Sequence, residues 1–516
     1  MAYQRQEFIN DKTVLTAEHL EHIEDGIVAL DYGTQIYTDD ECRDAFMEEL
    51  HKRMIDIGMY NTSYGDPFGG YDNFSTAYDM CRCAYYASGY ERMNEIWSAV
   101  SRDVKLLKTD GTVRTFTAPN KITRRADGLA LYSKYNVLAG KGGTHTGTKY
   151  NTMSICQSSK NPDDFYAIVT MNDTGEDTKS ISILKTMDLI DSGEFDENEL
   201  DEVAYDGLTY RQIFMNNNIL PLIHENSEFN SKGVKYENKQ TNQHTIIYSE
   251  NNEGVCAAPY FLQVSGTGSA YLQAPESSNE VTSYYAACYA KITNYTKGRL
   301  GVSIGSNTNA TIGSVTNGFQ LVSTIASMTS GHGFFVGSSG TATLDGMINS
   351  PVIINMKIFT TTPNLEQLNT LYVEYVNRLQ RTWAKMEEAG ANIPSTRVCV
   401  IKLPNYNTRA CKSVKVHPYY AKNAYSVTHP ASMSKTLSMM LMLDYVSNLT
   451  DKVSLVQSDI DATTKGGKWY SSSEIVLGES LTFDDLSYMI MLQSSNICTY
   501  IGCRAAGERI LRSKNL

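Results

Sequence analysis

The chain has 516 residues, too many for one ordinary hydrophobic core, so two to four domains are expected. Its net charge of −12 argues against nucleic acid or an anionic membrane surface as the main partner. No run approaches the roughly 18 apolar residues of a membrane-spanning helix, and the first residues lack the basic and apolar regions of a secretory signal, so folding in a cytoplasm is expected.

In chain order, Thr16 can cap a helix over 15–30 whose apolar stripe is Leu20, Ile23, Ile27 and Leu30. Two heptads are too few for a free coiled coil, so the stripe docks either on its own protein or in an oligomer. The wording from Phe8 to Ile27, with Asn10-Asp11-Lys12-Thr13-Val14-Leu15-Thr16 at its centre, resembles the start of tail and baseplate proteins of phages infecting Gram-positive bacteria. That resemblance implies an attachment or oligomerisation helix at 1–30, contacts with other tail or baseplate proteins, a homo-oligomer such as a trimer, and a virion location reached without a signal peptide.

Residues 31–191 mix helix and strand, and contain Leu138-Ala139-Gly140-Lys141-Gly142-Gly143-Thr144. From 192 to 360 short β-rich runs alternate with Gly, Asn, Ser and Thr clusters, the pattern of a β-sandwich. This stretch looks like the jelly-roll, carbohydrate-binding-module-like domains of phage receptor-binding proteins. Tyr284, Tyr285, Tyr289 and Tyr295 are offered as sugar-stacking residues, against the alternative that most are packing residues, since strand alternation turns only one side outward. A linking helix is expected over 361–388, starting at Thr362-Pro363 with an apolar face of Leu365, Leu368, Leu371, Leu379, Trp383 and Met386. Residues 389–516 return to alternating helix and strand. The ten cysteines lie mostly in apolar segments and read as reduced core residues. Cys81-Arg82-Cys83 lacks zinc spacing and a second pair, so no metal and no cofactor are expected.

The chemistry concentrates at His429-Pro430-Ala431-Ser432-Met433-Ser434-Lys435, which opens an apolar helix. A serine there faces the unpaired N–H groups of a helix start, with Lys435 one turn further on the same face, the Ser-x-x-Lys pattern. Alone it reads better as a capped surface helix, since any helix can hold Ser and Lys at that spacing. Ser494-Ser495-Asn496 adds Ser-x-Asn, a hydroxyl to relay a proton and an amide to hold a substrate backbone. Lys141-Gly142-Gly143 adds a variant of Lys-Thr/Ser-Gly, positive charge beside glycines that admit a substrate strand to a sheet edge.

The flanks of all three motifs resemble D-alanyl-D-alanine carboxypeptidases, the low-molecular-weight penicillin-binding proteins. Pro430–Tyr445, Leu477–Leu486 and Leu492–Asn496 read like that family's first half; Met54–Thr62, Asp66-Pro67-Phe68-Gly69-Gly70, Phe74–Met80 and the lysine motif read like its second. The order is reversed, implying a circularly permuted α/β domain of two pieces, 31–191 and 389–516, with the sandwich inserted between them. Sequence leaves open whether the pieces pair within one chain or between chains.

The resemblance implies an acyl-enzyme on Ser432. Lys435 would be the general base, its pKa lowered by Lys141 and burial. Ser494 would relay the proton, Asn496 would orient the acyl chain, and the N–H groups of Ser432 and Thr144 would form the oxyanion hole. The implied partner is the D-Ala-D-Ala end of peptidoglycan stem peptides. Gly142 lacks the usual hydroxyl of its motif, for which Thr144 or Thr146 can substitute. The alternatives are a non-catalytic adhesin for cell-wall glycans or peptides and a β-lactamase, the latter disfavoured because no Glu-x-x-Leu-Asn motif lies ahead of Lys141.

Overall fold

The computed structural model describes residues 37–514, apart from 60, 71, 121, 123–133, 146–148, 194–198, 221–234, 239–242, 249–259, 274–281, 306–307, 329–332, 404–417 and 465–473. The expected helix at 15–30 and Thr146 lie outside the described residues. The described chain is mixed α/β, and its strands pair antiparallel throughout.

The first segment runs α1 (Asp39–Asp56), α2 (Ala77–Ala87), α3 (Glu91–Ser98), β1 (Ser101–Leu107), β2 (Val113–Pro119), β3 (Asn136–His145), β4 (Lys149–Gln157), β5 (Phe165–Asp173) and α4 (Glu176–Ser192). A capping box starts α1: Glu41 N donates to Thr38 Oγ1 at 3.2 Å and Thr38 N donates to Glu41 Oε2 at 2.7 Å, while three acidic residues in the first turn complement the helix dipole. Thr76 caps α2, which is buried at nearly every position because it packs on the centre of a sheet.

The last segment runs α5 (Leu365–Ala389), β16 (Arg397–Leu403), β17 (Tyr420–Lys422), α6 (Lys435–Tyr445), β18 (Lys452–Ser454), α7 (Gln457–Thr464), β19 (Ser480–Thr482), α8 (Phe483–Tyr488) and α9 (Asn496–Lys514). α5 begins later than expected. Asn364, not Thr362, is its cap, forming a capping box with Gln367 that leaves Pro363 outside the helix.

Both segments contribute to each of two sheets. The five-stranded sheet has the order β17-β16-β5-β4-β3, and β16 pairs with β5 over its whole length, from Arg397 opposite Met171 to Leu403 opposite Phe165. The four-stranded sheet has the order β18-β19-β1-β2. β5 and β16 are apolar on successive residues, as strands covered on both faces must be.

Between the segments lie the short β6 (Val203–Tyr205) and β7 (Leu208–Thr209), then β8 (Lys235–Asn238), β9 (Gln243–Tyr248), β10 (Tyr260–Ser265), β11 (Thr267–Gln273), β12 (Thr282–Ile304), β13 (Thr308–Ile312), β14 (Gln320–Met328) and β15 (Phe334–Asn355). β8 to β15 make one eight-stranded sheet. The long β12 and β15 pair with each other through several register shifts, bulges that bend both strands.

Three of the tyrosines offered for sugar stacking are core residues. Tyr284 is 2%, Tyr285 0% and Tyr289 7% exposed. Alternation sends Tyr284 into the larger core, but the other face of β12 is also covered, by α5. There Tyr285 Oη donates to Asn369 at 3.0 Å, and the ring of Tyr289 stacks 5.8 Å from Tyr372. Tyr295 is half-buried and donates to Gly298 O at 3.3 Å. The described cysteines are free thiols in buried positions.

Candidate active site

Ser432 sits in a tight turn, Ala431–Ser434, that leads into α6. The preceding Ala431 has φ of +51°, a conformation L-residues adopt at a cost and keep only where neighbours impose it. Those neighbours are close. Ser75 and Thr428 exchange backbone hydrogen bonds at 2.8 Å, and Asn151 Nδ2 on β4 donates to His429 O at 2.9 Å. Gly69, with φ of +93°, and Gly143 press against the turn from either side; a methyl at 143 would lie 2.8 Å from Ser432 N and from Pro430 O.

One turn along α6, Lys435 is fully buried. Its Nζ lies 2.8 Å from Ser432 Oγ, 2.7 Å from Asn496 Oδ1 and 2.9 Å from Phe68 O. Asn496 opens α9, immediately after a wide helical turn at Met489–Gln493 and Ser494, whose φ is +66°. Wide turns and left-handed non-glycine residues concentrate where a side chain must be aimed. Ser494 Oγ is aimed at β3, where Lys141 Nζ donates to it at 2.7 Å and to Gly142 O at 2.8 Å.

Ser432, Lys435, Ser494, Asn496 and Lys141 therefore converge, drawn from α6, the start of α9 and β3. Among the described residues β3 is an edge strand, paired with β4 alone, and Lys141 and Gly143 share one face of it. Gly143 is buried against the turn that holds Ser432 and Thr144 is exposed at the edge. A side chain at Gly142 would point elsewhere, toward Ile122 and, 3.4 Å away, Lys179 Nζ.

The sequence reading missed one participant, Phe68, and one neighbour of β3, Lys179. Phe68 acts through its carbonyl, which no residue type announces. Lys179, on α4 and paired with Glu176, brings a buried cation beside Gly142, and its only sequence signal was a lone lysine early in a helix after the third motif's sheet. Past Thr144, the rings of His145 and His429 stack at 4.0 Å, and Phe74 flanks His429 at 4.6 Å. Burial first, then the stacked neighbour and Lys149, hold His145 below the usual imidazole range; burial and Lys149 do the same for His429, against its bond to Asn73. Among the described residues no cluster of three or more His, Cys, Asp or Glu could hold a metal, and no helix is long and apolar enough to cross a membrane.

No protein-family model and no curated protein matches the chain. Among solved structures, the CBM22-1–GH10 modules of Clostridium thermocellum xylanase 10B match 27% of this chain and 29% of their own at 17% identity and a TM-score of 0.19. The enzymatically active domain of bacteriophage CBA120 tailspike protein 4 matches 27% of this chain and 21% of its own at 14% identity and a TM-score of 0.20. TmCBM61, solved with β-1,4-galactotriose, matches 27% of this chain and 98% of its own at 14% identity and a TM-score of 0.19. This chain thus spans less than a third of the first two, and likenesses this slight bear on neither fold nor function.

Proposed function

We propose that the two outer segments form one permuted penicillin-binding-protein-type domain and that Ser432 is its acylated nucleophile. The observation that carries this reading is the set of oxygens around Lys435 Nζ. A neutral amine has two N–H donors and one lone pair. Two of the three neighbours, Phe68 O and Asn496 Oδ1, accept only; the third, Ser432 Oγ, is a hydroxyl that can donate. The arrangement matches a base poised to take the serine proton.

In the reaction Ser432 Oγ attacks a carbonyl while its proton passes to Lys435. The oxyanion is received by the N–H groups of Ser432 and Thr144. Ser494, held by Lys141, relays the proton taken up by Lys435 to the departing amine, which leaves Lys435 neutral again; it then takes a proton from the water that releases the acyl group, and that proton returns to Ser432 Oγ. The substrate class is a peptide with a free C-terminus, the D-Ala-D-Ala end of a peptidoglycan stem by resemblance. The setting is a phage tail or baseplate, by the resemblance of residues 8–27.

The rival is a receptor-binding adhesin without turnover, toward which the carbohydrate-binding and tailspike names of the matched structures point. Their TM-scores lend it no weight, and Tyr284, Tyr285 and Tyr289 offer no stacking surface. Fluorescent penicillin separates the two. A covalent band on the native protein, lost in Ser432→Ala and reduced about 100-fold in rate in Lys435→Ala, is expected. Absence of any band beyond that of a heat-denatured control would leave the adhesin.

A further inference from the structure

We infer that Asp66, which touches none of the reacting groups in the structure, is a positioning residue that sets the base through the loop at 65–73. The inference rests on the acyl-transferase reading above. Asp66 is wrapped by its own loop: Oδ1 accepts from Phe68 N at 2.8 Å, Gly69 N at 2.8 Å and Gly70 N at 3.1 Å, and Oδ2 from Gly70 N at 2.9 Å. Asn73 closes the other side, its Oδ1 accepting from Gly65 N at 2.9 Å and Asp66 N at 3.1 Å while its Nδ2 donates to Asp66 O at 3.0 Å.

The clamped loop delivers three contacts to the site. Phe68 O accepts from Lys435 Nζ at 2.9 Å, Pro67 O accepts from Ser438 Oγ at 2.7 Å one turn further along α6, and Gly69 abuts the carbonyl of Ala431. A fourth tie, 3.1 Å between Asn73 O and His429 Nδ1, holds the far end of the same turn. One carboxylate thus fixes the peptide groups that aim the lysine and brace the left-handed residue before Ser432. A carboxylate accepting several N–H bonds orders a turn that a methyl group would release. Displacement of a reacting group by about 1 Å costs on the order of 100-fold in rate.

The test is stopped-flow acylation of the full chain by fluorescent penicillin, resolving the dissociation constant of the first complex from the acylation rate constant, with an unfolding midpoint for each variant. Asp66→Ala is expected to lower the rate constant about 100-fold while the dissociation constant stays within about threefold. Asp66→Asn keeps an oxygen for the three N–H groups and is expected to recover to within about fivefold. Asp66→Glu keeps the charge but overreaches the turn, and about tenfold loss is expected; it also serves if the alanine variant fails to fold. A parent that acylates while Asp66→Ala or Asp66→Glu matches its rate constant overturns this inference alone. So does a loss that Asp66→Asn does not restore, or one carried by the dissociation constant. A parent that never acylates overturns the acyl-transferase reading and this inference with it.

Discussion

Two adjacent glycines of one motif face different demands. At Gly143 the nearest atoms to an added methyl are backbone, Pro430 O and Ser432 N at 2.8 Å; at Gly142 the nearest is the tip of Ile122, also at 2.8 Å. Backbone cannot yield without moving Ser432, whereas a side-chain tip can turn. Overpacking of this kind costs about 1–3 kcal/mol. Gly143→Ala should therefore lose stability in that range and slow acylation about 30- to 100-fold, and Gly142→Ala should cost several-fold less in rate. Equal losses at the two positions would mean the strand does not abut the turn as described. Residues were legible where chemistry needs a distinctive type at a fixed spacing, as with Ser432, Lys435, Ser494 and Asn496. Phe68 and Asp66 were not read as site residues, because the one contributes a carbonyl that any residue has and the other acts through backbone N–H groups.

Among the elements, α2 carries a titratable group whose effect on stability has a definite sign. Asp79 is fully buried, its Oδ2 accepting from Asn61 N at 2.6 Å and Thr62 Oγ1 at 2.9 Å. Burial pushes its pKa up to about 7, outweighing those bonds and the nearby Arg82. A carboxyl raised in the folded state favours folding below its unfolded pKa near 4, and that contribution is lost as pH rises through about 7. Asp173, pushed up to about 6 by burial, acts in the same direction over a lower window, while His145 and His429, held below the usual imidazole range, act oppositely under acid conditions. Urea unfolding at pH 5, 6, 7 and 8 should show stability falling by about 1 kcal/mol per unit between pH 5 and 7 from Asp79. Asp79→Asn should flatten that slope, and an unchanged slope would refute the assignment. Strand texture was legible over 192–360 because alternation and turn residues are local. What covers the second face of β12 was not, since the apolar stripe of α5 that packs there lies far along the chain, Tyr285 meeting Asn369 across 84 positions, and period alone does not pair them.

At the scale of the molecule, the reversed motif order has a structural counterpart. The five-stranded sheet takes β3, β4 and β5 from the first segment and β16 and β17 from the last, and the four-stranded sheet is divided in the same way. α1 and α9 lie against each other so closely that Gly507 has no room for a side chain beside Cys42 O, and the buried Asp459 on α7 accepts from Arg43 of α1 at 3.1 Å and Arg504 of α9 at 2.9 Å. Separating the segments would take the buried Arg43 from the buried Asp459 as well as open two sheets, and breaking a buried ion pair alone costs about 3–5 kcal/mol. Domain stabilities are about 5–15 kcal/mol, so neither segment is expected to fold alone. Residues 37–192 and 365–514, made as separate chains, should each lack near-ultraviolet circular dichroism and penicillin labelling. Mixed in equal amounts, they should regain both, because every strand pairing across the seam is antiparallel and needs no covalent connection between the halves. Labelling of 365–514 by itself would contradict this, since that piece holds Ser432, Lys435, Ser494 and Asn496 but neither Lys141 nor the Phe68 carbonyl. It would mean that the site needs only its own half, and that the second cation and the clamped loop are dispensable for acylation.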